Sequence, residues 1–154
     1  MRVVAVGVAA VLAVGAGAPV AGATPDRPEA DLSYHGLAVM TEGQVEVRFT
    51  PRNHGPSAVP DVTVRLHWSQ PLADRQELPT GCARSGARVV LCRVGALAAD
   101  GLGEQIGMRV RMRGAPAEVL LGIDTVWSGG AVDRNRLNDR QRVLVLDTGD
   151  AYHF

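Results

Sequence analysis

Apolar and polar side chains alternate along most of this chain with a period of two. In residues 44–52, Val45, Val47 and Phe49 fall on one parity, with Glu46, Arg48 and Thr50 on the other. A strand with one buried face produces that pattern. Residues 61–68 repeat it, setting Val62, Val64, Leu66 and Trp68 against Thr63, Arg65 and His67. Residues 104–113 alternate most regularly: Ile106, Met108, Val110 and Met112 are predicted to face inward, and Gly107, Arg109, Arg111 and Arg113 outward. If this strand pairs with residues 44–52, Glu46 and Arg48 come to lie across from Arg109 and Arg111, and opposite charges across a ladder contribute about 0.2–1 kcal/mol.

Residues 32–40 read as a first strand, weakened by Gly36, and residues 142–147 as the last. Residues 117–127 are apolar on both parities at Val119, Leu120 and Leu121, which suits a central strand or one covered on both faces. Turn residues punctuate these runs at Glu42-Gly43, at 51–57, 69–80 and 98–103, at Gly114-Ala115-Pro116 and over 128–139. No segment carries a sustained helical period. The pattern predicts an all-β fold, an antiparallel immunoglobulin-like β-sandwich of about seven strands.

The opening does not belong to that pattern. Arg2 is followed by an apolar run to Ala18, then by Pro19 and small residues ending in Ala21-Gly22-Ala23. A basic start, an apolar centre and an Ala-x-Ala site mark a secretory signal, with the cut expected after Ala23. An uncleaved anchor is the competing reading. A spanning helix needs about 20 apolar residues, and this run approaches that only by counting glycines and a proline. The expected organisation is a signal peptide at 1–23, a mobile polar lead-in at 24–31, the sandwich at 32–147 and a C-terminal aromatic tail at 148–154.

Export gives the two cysteines a meaning. Cys82 and Cys92 flank a Ser85-Gly86 turn within residues 81–97. Two cysteines in an exported chain usually pair, so a disulfide-closed hairpin at the edge of the sandwich is expected. A metal site or a reactive thiol is the alternative. A metal site needs partners at ligand spacing, and His35, His54, His67 and His153 are scattered. No metal and no cofactor are expected.

The motifs around the hairpin appear in a recognisable order. Asn53-x-Gly55-Pro56-Ser57 precedes the Val62/Val64 strand. Leu78-Pro79-x-Gly81-Cys82 leads into Val90-x-Cys92-x-Val94-Gly95-x-Leu97. Asp133-x-Asn135-x-x-Asn138-Asp139 precedes the last strand. Over roughly residues 45–146 this order resembles the bacterial surface-protein repeat family called domain of unknown function eleven. The final turn departs from that family's pattern, lacking its proline and second asparagine. The resemblance implies an immunoglobulin-type sandwich in an extracellular setting, and it brings no catalytic residues.

Charge and chemistry narrow the function classes further. The formal net charge is zero, so no basic face argues for nucleic acid. All sixteen basic residues are arginine, and without lysine an intramolecular Lys–Asn isopeptide bond is impossible. Ser69, Ser85 and Ser128 lack the Gly-x-Ser-x-Gly context of a hydrolase elbow. Neither a zinc-binding His-Glu-x-x-His helix nor a phosphate-binding glycine loop is present. Residues 133–139 do not fit a calcium loop, since Leu137 and Asn138 occupy the fifth and sixth positions; they read as a turn capped by Asn and Asp side chains.

The sequence therefore predicts a secreted, non-enzymatic structural or interaction module at the bacterial cell envelope. Its partner would be a cell-wall polymer or another envelope protein, and it would meet the membrane only through the signal segment. The alternative is a binder of an anionic glycan through Arg109, Arg111 and Arg113, whose guanidinium groups suit bidentate recognition; a solvated strand face is the favoured reading of that row. Trp127, beside Ser128-Gly129-Gly130, is a candidate stacking surface, although core or rim packing is favoured. Trp68 is expected in the core.

Overall fold

The computed structural model describes residues 26–154, and they are all β. The signal segment at 1–23, with the anchor alternative, lies outside the described residues. In chain order the strands are β1 (Glu29–Ala30), β2 (Leu32–Thr41), β3 (Gln44–Asn53), β4 (Val59–Trp68), β5 (Cys82–Arg84), β6 (Val89–Leu97), β7 (Gly101–Leu102), β8 (Ile106–Arg111), β9 (Glu118–Trp127), β10 (Val132–Asp133), β11 (Arg140–Leu146) and β12 (Ala151–His153).

Two antiparallel sheets carry the fold. One runs β11-β9-β4-β6-β5; the other runs β12-β2-β3, with β7 and β8 both pairing with the far side of β3. The parities read from the sequence hold. Val45, Val47, Phe49, Met108 and Val110 of one sheet are buried, as are Val62, Val64, Leu66 and Trp68 of the other. Tyr34 and Phe49 meet edge to face between the layers, with ring centroids 6.1 Å apart. β9, apolar on both parities, lies inside its sheet between β11 and β4.

Glu42 and Gly43 both take positive φ, 50° and 72°, in the two-residue turn from β2 to β3, the primed geometry that matches strand twist. Gly36 does more than weaken β2. A Cβ there would stand 2.0 Å from the carbonyl oxygen of Arg48, so the neighbouring strand occupies the space a side chain would need.

The sandwich extends beyond the bounds drawn from the sequence at both ends. Glu29–Ala30 pairs in parallel with Val132–Asp133. Ala30 is buried, and its backbone comes so near Gly55 that a Cβ on Gly55 would lie 2.6 Å from the Ala30 Cα. The end of the lead-in is therefore part of the packed structure. At the other end, Ala151–His153 pairs with Leu37–Val39, and Phe154 exchanges backbone hydrogen bonds with Gly36. Residues 151–154 close a sheet edge; they are not a separate tail.

Candidate functional site

The two cysteines form the last rung of one sheet. Cys82 and Cys92 are direct register partners of β5 and β6, with Cα atoms 4.0 Å apart and the sulfurs bonded. Cys92 is buried and Cys82 half-buried. The turn joining the arms is held by Ser85 N–H donating to Val89 O at 2.9 Å. β5 is the sheet's outer strand, so the disulfide closes a hairpin at an edge, as the spacing and the turn residues indicate.

The arginine row lies on the exposed parity of β8 and just beyond it, as predicted. Arg109 donates to Glu46 at 2.9 Å across the β3–β8 ladder. Glu46 also meets Arg48 in an ion pair, and the hydrogen bond from Arg109 is the main reason its carboxyl is held below the usual carboxylate range. The pairing expected for Arg48 differs: it faces Gly107, and Arg111 faces Gln44. Arg113 is paired with Asp74 of the 69–80 loop. Arg111 makes no ion pair among the described residues. Two of the three guanidinium groups are thus already committed to carboxylates.

Trp127 does not pack as expected. It is 54% exposed, and Val126 beside it is 44% exposed. The cause is a bulge between the Thr63 and Val64 pairings of β4 with β9. The extra residue breaks the alternation, so consecutive side chains both reach solvent. Trp68, by contrast, is 1% exposed in the core.

Two buried polar sites escape a sequence reading. The first surrounds Asn53, which is fully buried. Its Oδ1 accepts from the N–H groups of Gly55 at 3.0 Å and Asp31 at 3.2 Å; its Nδ2 donates to Ser57 O at 2.8 Å and Ala98 O at 3.0 Å. All four hydrogen-bonding positions of the amide are used. The Asn-x-Gly-Pro-Ser turn is therefore a knot that ties residues 53–57 to Asp31 and to Ala98.

The second site lies beneath the 128–139 loop. Asp133 accepts from Leu32 N–H at 2.9 Å and from Asn135 N–H at 2.9 Å, the second bond being the side-chain-capped turn predicted there. Asn138 donates to Asp31 at 2.7 Å. Deeper in, the hydroxyls of Tyr34 and Thr125 are hydrogen-bonded at 2.5 Å. Burial pushes the Tyr34 phenol well above its ordinary range. Asp139 is fully buried, and neither carboxylate oxygen accepts a hydrogen bond; Arg136 Nε stands 3.3 Å away and Arg140 Nε 3.9 Å. Burial raises the Asp139 carboxyl, and the charge of Arg136 opposes the rise. Among the described residues, no three of His, Cys, Asp and Glu converge as ligands for a metal ion. The alternating pattern conceals these residues because their partners lie up to 107 positions away.

A groove of about 780 Å³ runs beside the arginine row, lined by Asp74, Arg75, Gln76, Glu77, Arg109 and Arg111. Gln76 gives it its form. Its side-chain amide accepts from Arg111 N–H at 2.9 Å and donates to Arg111 O at 2.8 Å, clamping the backbone of β8 at its free edge.

No protein-family profile matches this chain, and no curated protein matches it. Among solved structures it is similar to β-glucosidase 3B from Thermotoga neapolitana in complex with α-D-glucose, at 12% identity and a TM-score of 0.42. The match covers 81% of this chain and 17% of that one.

Proposed function

We propose that this chain is a secreted, non-enzymatic structural or interaction module of the bacterial cell envelope, built on the plan of the domain-of-unknown-function-eleven repeats. The observation that carries the reading is the Cys82–Cys92 bond across the edge hairpin. Such bonds persist in oxidising compartments and are rare in the cytosol. The signal-like opening supports the same compartment. The buried polar groups support the non-enzymatic part: Asn53 and Asp133 have their hydrogen-bonding capacity directed at neighbouring backbone, which is a structural use.

The polymer-binding alternative is weaker. Arg109 and Arg113 already face Glu46 and Asp74, so an anionic polymer would have to displace both. Purified anionic wall polymer is expected not to bind the parent chain, and polymer binding that is lost when Arg109, Arg111 and Arg113 are replaced together by Gln would revive that reading.

Fractionating a bacterium that expresses the full chain tests the proposal. The expected result is oxidised protein outside the cytoplasm that cross-links to an envelope component. Reduced protein confined to the cytoplasm would overturn it.

A further inference from the structure

β8 pairs with β3 alone, and its other side is only half covered. Backbone groups of an antiparallel strand point alternately to either side. Met112 N–H donates to Gly43 O at 2.8 Å, on the β3 side. Arg111 faces the opposite way: Ala73 N–H donates to its carbonyl at 2.9 Å, and the Gln76 amide holds both its backbone groups. Gly107 and Arg109 share the parity of Arg111. Their N–H and C=O groups therefore point to the same free side, where no hydrogen bond meets them among the described residues.

The cover that does exist is strand-like. Leu72 bridges Met112 in antiparallel fashion, and Arg113 N–H donates to Pro71 O at 2.9 Å. Beyond Ala73 the chain leaves the edge, and the Gln76 amide substitutes for the next peptide group. Two residues further along β8, at Arg109, the substitute ends and the groove opens.

We propose that the Gly107–Arg109 edge accepts an extended, acidic segment of a partner protein as an added strand. This rests on the interaction-module reading and gives it a partner chemistry. The alternating donors and acceptors of the edge match a peptide backbone; sugar hydroxyls do not repeat in that order. The acidic character follows from Arg111 and Arg75, which line the groove without an ion pair among the described residues and outweigh the one unpaired carboxylate there, Glu77. A second copy of the chain fits poorly: antiparallel self-pairing centred on Arg109 sets like charges opposite each other, which is unfavourable.

The test uses the full mature chain and four probes: an acetylated Glu-Thr-Glu-Thr-Glu amide, its Lys counterpart, the acidic peptide N-methylated at alternate amides, and an oligogalacturonate of equal charge. The acidic peptide is expected to bind, and N-methylation or Arg111→Glu to weaken it by about tenfold or more. Arg111→Glu changes an exposed, unpaired side chain, so its melting temperature should match that of the parent. Equal binding of the N-methylated peptide or the oligogalacturonate would reduce the site to charge alone and overturn the proposal. Concentration-dependent dimers without peptide binding would overturn it in favour of self-association. If no probe binds, this edge is not the docking site, while the envelope-module reading still stands or falls on fractionation and cross-linking.

Discussion

The carboxylate of Asp133 receives the backbone N–H of Leu32 at 2.9 Å, across 101 positions of chain. With its second oxygen on Asn135 N–H, this side chain ties the loop before β11 to the start of β2. Asp133→Ala leaves the buried Leu32 N–H without an acceptor and frees the turn at exposed Asn135, and it should cost about 2 kcal/mol in urea unfolding. Asp133→Asn keeps one acceptor and should cost about half as much. Equal midpoints for both variants and the parent would mean that water replaces the carboxylate without loss.

Asn53 should be more sensitive. Its amide makes four hydrogen bonds and is fully buried. Asn53→Ala should cost about 3 kcal/mol or more, within the range for breaking a buried network. Asn53→Asp retains the acceptor but turns a donor into a charge facing the carbonyls of Ser57 and Ala98, so it should be no milder. Thermal melts of the three proteins decide the order.

These two residues show where sequence reasoning stops. The positions of β3, β4 and β8 follow from period-two alternation, because each has one face in the core, whereas β9 shows as a run apolar on both parities, β2 and β11 as short apolar runs between turns, and β6 as the second arm of the cysteine hairpin. The disulfide follows from two cysteines flanking a turn. β1, β7, β10 and β12 have two or three residues each, too short for a period to register. The degree to which Trp127 is exposed was not legible, because a bulge shifts parity without a sequence mark. The arginine row was legible as exposed, but the carboxylate of Asp74 that occupies Arg113 arrives from a loop whose path no local pattern fixes. Gln76 carried no signal, since one glutamine in a polar loop gives no hint of a strand edge.

Buried Asp139 gives the fold a defined pH response. Burial raises the Asp139 carboxyl in the folded state. The folded chain then binds more protons than the unfolded one above the ordinary carboxylate range, so this group's contribution is complete below that range and is lost as pH rises through the raised value. Asp139→Asn should flatten that slope and stabilise the fold at neutral pH, provided Arg136 tolerates the lost charge. Urea midpoints from about pH 4 to pH 7 measure both effects; a steeper slope in the variant would reverse the assignment.

Tyr34 makes a spectroscopic prediction. Burial raises the Tyr34 phenol beyond its ordinary range. At about pH 11, past the ordinary phenol value, the Tyr34 phenol should stay protonated in the folded protein, and unfolding should release its tyrosinate signal in the ultraviolet. Two tyrosinates in folded protein would mean that water reaches the Thr125 contact.

The disulfide closes a loop between residues ten positions apart. Replacing both cysteines by serine should lower stability by about 2.5–3 kcal/mol on the loop-entropy account, and the sandwich should still form because Cys92 is one buried residue among many. Loss of all cooperative unfolding would show that the hairpin is needed for folding itself.

The intact mass of the protein recovered from outside the cytoplasm tests the central claim most directly. The account predicts a chain beginning at Thr24, two hydrogens lighter than its reduced form. A full-length chain beginning at Met1 with Cys82 and Cys92 both open to alkylation would contradict it.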